Sequence, residues 1–382
     1  MHGASLFTSP DDLEWAPRVH RYGVVQKLPE KMLLHGQQIM KPTIKDVAKL
    51  ANVSFKTVSR VINEESAVGK KTRDKVWAAI RELNYSPNRA ARGLRGTTSS
   101  IAFIYDNPNS NYVIAMQHGI LGECRKQGYE LVIHPCDSSR KDLVEEALEM
   151  IERSQVGGLV LTPPISENDE VVDAFVEHGI RFVRIVSGSQ PPDDRSSCIF
   201  IDDRQAAFEE TRHLIDLGHS DIAFLGGDEE HASSGERLKG FQLAMQEYGL
   251  SVEPERILPG QYSFESGVER TRRLLRPGNK PPTAIFACND EIAAGALFAA
   301  RIQGVDVPRD LSIVGFEDSP FSRQSWPNLT TARQPTSTIA SRAAALLIDT
   351  IKRKDRLEGP APSEGFLPHL VVRDSTCPPP RP

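Results

Sequence analysis

From Ser100 to about residue 374 the chain alternates short apolar runs with amphipathic stretches, a pattern sustained for about 270 residues. Ile101-Ala102-Phe103-Ile104-Tyr105, Glu130 to His134, Gly158 to Leu161 and Arg181 to Val186 read as strands, and so do Ile222 to Leu225, Ala284 to Ala287 and Ser312 to Phe316. Helical patterns intervene, for example over Met116 to Gln127 and Lys141 to Ser154. Alternation of this kind is met by βαβ units building a parallel, doubly wound sheet. Its length predicts two such lobes with a cleft between them, where ligands collect at the strand ends.

The stretch ahead of this body is of another kind. Met40 to Gly96 carries seven Lys and six Arg against two Asp and three Glu, although the whole chain has a net charge of −5. A compact basic module on an acidic body is the electrostatic footprint of a DNA-binding domain attached to one that phosphate repels. Within it, Thr43-Ile44-Lys45-Asp46 has the form of a helix start, a hydroxyl answered by a carboxylate three residues on. Val47, Ala48, Leu50 and Ala51 supply an apolar face, Asn52-Val53-Ser54 breaks it, and Ser54 caps a second helix from Phe55 through Val61. That helix buries Val58 and Val61 and leaves Phe55, Lys56, Thr57 and Arg60 toward its outer N-terminal part, where a recognition helix meets base edges. A third helix, Lys71 to Leu83, closes the core with Val76, Ile80 and Leu83.

The ordered run K-P-T-I-K-D-V-A-K-L-A-N-V-S-F-K-T-V-S-R-V-I-N (Lys41 to Asn63), then T-R-D-K-V (Thr72 to Val76) and L-N-Y-S-P-N-R-A-A-R-G-L-R (Leu83 to Arg95), strongly resembles the LacI/GalR family of bacterial transcription regulators. The resemblance continues through S-G-E-R-L-K-G-F (Ser234 to Phe241), A-C-N-D-E-I-A-A-G (Ala287 to Gly295), S-I-V-G-F-E-D (Ser312 to Asp318) and L-T-T-A-R-Q-P (Leu329 to Pro335). Asn52 stands where the family usually has Gly, and Asn tolerates the left-handed turn.

The fold this implies is an all-α helix-turn-helix DNA-binding module plus an α/β periplasmic-binding-protein-like body of two doubly wound lobes. The expected boundaries are 1–39 as an unordered extension, 40–85 as the DNA-binding domain, 86–99 as hinge helix and linker, 100–374 as the effector-binding and dimerisation body, and 375–382 as an unordered tail. Many family members begin as this chain does at Met40, so 1–39 are expected to be dispensable for DNA binding.

The resemblance also assigns residues. Phe55, Lys56 and Arg60 read bases, and Leu94 wedges into the minor groove from a hinge helix too short to be stable alone. Thr43, Ser54, Thr57, Asn63, Arg73, Asn88 and Arg89 hold phosphates. In the body, Arg237, Asn289, Asp290 and Glu317 fall at effector positions, with Tyr112, Thr162, Arg184, Tyr262 and Gln334 around them. Gly226, Gly227 and Gly315 are read as turn glycines. Glu317 replaces a usual Asp and Val186 stands where an acid is common, with Arg184 nearby, which points toward a smaller or anionic ligand such as an acidic sugar.

The expected function is therefore a sequence-specific regulator, by family default a repressor, controlled by a sugar or sugar derivative. Its partners are near-palindromic operator DNA and a second copy of the chain, and it needs no cofactor or metal. Five scattered cysteines without a C-x-x-C pair, and no signal segment or long apolar run, place it in the cytoplasm. An enzyme is the rival reading, but no G-x-G-x-x-G follows a strand, the P-loop around Gly69-Lys70-Lys71-Thr72 is incomplete, and Cys288 has no matched His motif. A transport-type sugar-binding protein is disfavoured by the basic N-terminal module.

Overall fold

The computed structural model of the chain describes residues 42–62, 68–83, 85, 100–107, 109–353 and 361–380. Two compact units divide it, Met1–Pro87 and Asn88–Pro382.

Among the described residues the first unit holds three helices, α1 (Ile44–Ala51), α2 (Phe55–Ile62) and α3 (Lys70–Glu82). The capping carboxylate acts as the sequence predicts, with Asp46 accepting from the backbone N–H of Thr43 at 2.8 Å and from its hydroxyl at 2.7 Å. Asn52 ends α1 in the left-handed region, at φ 52° and ψ 51°. Ser54 then accepts from the Thr57 N–H at 3.1 Å and starts α2. Val47, Val58, Val61, Val76 and Ile80 are buried together between the three helices, and Leu83 packs partly buried against them. Leu50, counted with the apolar face of α1, is instead 44% exposed.

Among the described residues the second unit carries two six-stranded sheets. The first lobe contains β1 (Ser100–Tyr105), α4 (Ser110–Gln127), β2 (Glu130–Pro135), α5 (Leu143–Ser154), β3 (Leu159–Leu161), α6 (Asp169–Glu177), β4 (Phe182–Ser187) and β5 (Ser197–Ile201). The chain then enters the second lobe with α7 (Asp203–Asp216), β6 (Ile222–Leu225), α8 (Ala232–Glu247), β7 (Ile257–Leu258), α9 (Phe264–Leu274), β8 (Ala284–Ala287) and α10 (Asp290–Ile302). It continues through β9 (Ser312–Glu317), α11 (Pro320–Gln324) and β10 (Thr330–Arg333). Helix α12 (Thr336–Lys352) returns to pack on the first sheet, β11 (Glu364–Phe366) joins that sheet, and β12 (His369–Val371) ends on the second. Strand order is β11-β5-β4-β3-β1-β2 in one lobe and β12-β10-β9-β8-β6-β7 in the other. All pairings are parallel except β10 with β12. The order reverses beside β1 and beside β6, so each sheet has a switch point at its C-terminal edge, where ligands of doubly wound folds bind.

Close helix crossings hold the layers. A side chain at Gly119 of α4 would put its Cβ 2.2 Å from the Ser337 carbonyl of α12, and one at Gly240 of α8 would come within 2.1 Å of the Arg204 carbonyl of α7. Gly227 leaves room for the Tyr262 ring, and Gly315, which lies within β9 and not in the tight turn expected of it, leaves room for the Asp290 carboxylate.

The tail differs from expectation. Residues 375–380 run along the second lobe, because Ser375 is fully buried with its hydroxyl donating to the Ile313 carbonyl at 2.5 Å and accepting from the Thr330 N–H at 2.8 Å. The prolines that rule out a helix or strand do not prevent such side-chain pairing. Ser375→Ala leaves the Thr330 N–H buried without that acceptor and is expected to cost about 1–3 kcal/mol. Urea unfolding of the variant checks this, and a wild-type midpoint would mean the tail adds nothing to stability.

Among the described residues no helix is long and apolar enough to cross a membrane, and no group of His, Cys, Asp and Glu is arranged to hold a metal ion.

Candidate functional sites: a DNA-reading helix and an interlobe cleft

In the first unit α2 presents Phe55, which is 54% exposed, together with exposed Lys56 and Arg60, while Val58 and Val61 face inward. The burial pattern thus turns the predicted base-reading side chains outward along one helix face. Thr43 and Ser54 are exposed and Thr57 half-buried, and their hydroxyls are engaged locally, Thr43 with Asp46 and Ser54 with Thr57 at 2.8 Å. Arg73 donates to the Val68 carbonyl at 3.3 Å. Asn63, Asn88, Arg89 and Leu94 lie outside the described residues.

In the second unit the strand ends meet at a polar cleft. Tyr112, Arg237, Tyr262, Glu317 and Gln334 line it, as the sequence predicts. Its centre is a buried ion pair: Arg237 Nε and one terminal nitrogen reach Asp203 Oδ1 at 2.8 and 2.7 Å. The same guanidinium donates to the Cys288 carbonyl at 2.6 Å and stacks 3.7 Å from the centre of the Phe316 ring. Asp203 also accepts from the Ser187 hydroxyl at 2.6 Å, which ties β4 of the first lobe to α7 of the second. Two further bonds join the lobes across the cleft. Asn109 Nδ2 donates to Glu317 at 3.2 Å, and Glu167, held within the first lobe by the Ser187 N–H at 2.8 Å, accepts from the Ala232 N–H at the start of α8 at 3.2 Å.

Glu317 stands at φ 99° and Asp318 at φ 55°, left-handed conformations that non-glycine residues adopt only when their surroundings impose them. The restraint is visible: Asp318 is gripped by Arg323, Arg333 and Arg373, and the Ser319 N–H donates to Asp290 at 2.6 Å.

Four predicted effector residues do not line the cleft. Arg184 is buried beneath it, bonded to Ser196 at 2.8 Å and paired with Asp193 at 2.5 Å, so its charge is consumed within the first lobe. Asp290 accepts from the Thr331 hydroxyl at 2.6 Å and serves as a buried anchor for the β9–α11 turn. Asn289 caps α10 by accepting from the Ile292 N–H at 2.8 Å. Thr162 is fully buried at the end of β3. Conversely, Asn107, Asn109, Asp203, His231 and Ser233 border the cleft and were not singled out. Asp203 was legible in principle, because the apolar run Cys198-Ile199-Phe200-Ile201 before Asp202-Asp203 is a strand followed by a helix start.

Burial pushes the Glu317 carboxyl up to about 8, with Arg237 opposing, and burial pushes Glu167 up to about 7 against its two backbone donors. The folded body therefore holds protons that the unfolded chain, with Glu near 4.5, has released. Its stability is expected to fall as pH rises toward about 8. Below 6.5 the buried histidines His213, His219 and His231, held under their ordinary value by burial, act in the opposite sense. The clean window is thus from 6.5 to about 8. Burial raises Asp290 to about 7 and Glu210 well above the ordinary range in the same sense, so thermal unfolding across the window should show a declining midpoint that Glu317→Gln makes shallower without abolishing, and an unchanged slope in that variant would exclude a contribution from Glu317.

A three-helix module with an outward-facing reading helix, followed in the chain by a two-lobed body with a polar cleft, defines a ligand-binding class of DNA-binding transcription regulator. Residues 43–88 match the model of the bacterial regulatory proteins of the lacI family, and 211–376 match the periplasmic binding protein-like domain. The transcriptional repressor PurR of Actinobacillus pleuropneumoniae is 37% identical over 335 residues, 87% of this chain and 98% of that protein. The crystal structure of the lac repressor dimer bound to operator and the anti-inducer ONPF is similar with a TM-score of 0.72 and 28% identity, over 88% of this chain and 99% of that one. The complex of the transcriptional regulator CelR with cellobiose is similar at TM-score 0.65 and 28% identity, over 87% and 99%. The chain belongs to the LacI family of transcription regulators and is not an enzyme.

Proposed function

We propose that this regulator is a homodimeric repressor whose operator affinity is set by a neutral, polyhydroxylated small molecule, a sugar or sugar derivative, bound in the interlobe cleft. The carrying observation is the charge balance there: the Arg237 guanidinium is already matched by Asp203, and Arg184 belongs to another ion pair. An anionic ligand thus finds no uncompensated cation among the described cleft residues, contrary to the acidic sugar that Arg184 suggested. Carboxylates, side-chain amides and hydroxyls instead suit a ligand that both donates and accepts through several hydroxyls, and Tyr112 and Tyr262 offer rings for the apolar face of a sugar. The cellobiose bound by the similar CelR agrees with this chemistry.

Dimerisation is supported by an exposed apolar patch on the second lobe, where Phe298 and Ile302 are 48% and 66% exposed and Phe264 packs 5.6 Å from Phe298. Two copies would present two α2 helices to a near-palindromic operator, with Leu94 as the minor-groove wedge.

The test is calorimetric titration of the full chain with neutral sugars, sugar acids and a neutral purine base, followed by operator binding in the presence of each ligand that binds. A neutral sugar that binds and shifts operator affinity is expected. A response confined to the sugar acids or to the base would reject the sugar reading. Arg60→Ala is expected to lose about 1–3 kcal/mol of discrimination between operator and altered operator, as for a bidentate base contact.

A further inference from the structure

Beside the effector cleft, on the far side of Tyr112, Glu317 and Gln334, lies a second groove of about 440 Å³. We propose that this groove binds a small phosphate-bearing anion as a second ligand of the body.

The groove wall carries more positive than negative charge. Asp318, 4% exposed, is the shared partner of three guanidinium groups, Arg323 at 3.0 Å, Arg333 at 2.6 Å and Arg373 at 2.5 Å. One carboxylate cannot neutralise three cations. Arg373 is 14% exposed and spends another nitrogen on the Leu329 carbonyl, whereas Arg323 and Arg333 are 53% and 47% exposed and both line the groove. The surplus positive charge is therefore presented on the groove wall.

The facing wall is the start of α12, a 17-residue helix entered from Pro335, which offers no side-chain cap, and without an acidic residue in its first turn. The N–H groups of Thr336 and Thr338 are taken by the Gln334 and Pro335 carbonyls at 2.8 and 2.9 Å, so it is the positive end of the helix dipole that favours an anion at this terminus. Gln334, which is 7% exposed and lies between the groove and the effector cleft, has a buried amide oxygen with no hydrogen-bond partner. A ligand with a hydroxyl beside its phosphate satisfies that acceptor, because a buried polar atom left unmatched is costly. Glu317 borders the same space, and burial holds its carboxyl protonated at neutral pH rather than as a competing anion.

The groove takes Ala115 and His118 from α4 of the first lobe, the β9–α11 segment from the second, and the start of the helix that carries the chain back between them. An anion held there touches both lobes and the connection, so it favours one lobe arrangement over others. Tyr112, Glu317 and Gln334 border the groove and the effector cleft alike, which couples the two ligands reciprocally.

Calorimetry of the full chain in chloride buffer, titrated with inorganic phosphate and with glycerol 3-phosphate, tests the inference. Saturable binding of one anion per chain is expected, weakened roughly tenfold or more in Arg323→Ala and in Thr336→Glu. The second variant places a carboxylate at the first helical position, where it stabilises the helix while repelling an anion, so its loss of binding cannot be read as unfolding. The Asp203→Asn/Arg237→Ala pair, which disables the effector cleft, is expected to keep phosphate binding. Absence of saturable binding by the wild type, or equal binding by Arg323→Ala and Thr336→Glu, would overturn the proposal. So would loss of binding in the cleft variant alone, since that outcome places the anion in the effector cleft.

Discussion

Arg237→Ala is expected to abolish effector binding and to lower the stability of the body by about 3–5 kcal/mol, the usual cost of removing one partner of a buried ion pair. The side chains of Arg237 and Asp203 are 5% and 2% exposed, so the substitution strands the aspartate charge in a site that water reaches poorly. It also removes the donor to the Cys288 carbonyl and the cation over Phe316. Loss of binding and loss of folding are separated by adding Asp203→Asn. That second change removes the stranded charge and should restore most of the thermal midpoint, but it cannot restore the guanidinium, so the double variant should unfold near the wild-type temperature and still ignore the effector. If the double variant binds the effector as the wild type does, the ion pair is structural only and the cleft reading fails.

Val58→Asp is expected to eliminate specific operator binding while leaving the body folded. Val58 is wholly buried at the centre of the small core formed by Val47, Val61, Val76 and Ile80. A core of this size supplies roughly 3–5 kcal/mol at most, and burying an unpaired carboxylate costs several kcal/mol, so the substitution exceeds the stability available. The chain divides into two compact units after Pro87, and the body keeps its own cores around both sheets. Calorimetry should therefore show the main unfolding transition unchanged, with operator affinity reduced to the level of random DNA. A body transition that shifts along with the loss of DNA binding would show that the two units fold as one.

Much of the first unit is local and was legible for that reason. Thr43 with Asp46, the left-handed Asn52 and the Ser54 cap are interactions among residues two or three apart, and the helical period alone sends Val58 inward and Lys56 outward. Several strands of the body were legible as continuous apolar runs, as at Ile222 to Leu225 and Ala284 to Ala287, because strands buried on both faces need no alternation. The strands not read from the sequence are β5, despite its apolar run, the short β7 and β10, and the edge strands β11 and β12, whose three residues each gain their identity only by pairing with β5 and β10.

The cleft divides along the same line. By itself the sequence pointed to an Arg, an Asn-Asp pair and a carboxylate at the ends of βα units, which gather on one side of a doubly wound sheet, while the two tyrosines followed only from the family resemblance. Which of them meet was decided by tertiary structure. Arg184 and Arg237 have the same side chain, but one closes on Asp193 nine residues further along its own lobe and the other on Asp203, 34 residues away. Asp290 and Glu317 are both acids at family positions, but the cavity left by Gly315 draws Asp290 into the core, while the left-handed turn at Glu317, fixed by the arginines on Asp318, leaves it at the cleft. A charge in a buried site persists only where a distant partner compensates it, and the distance along the chain between partners carries no signal that a local pattern can register.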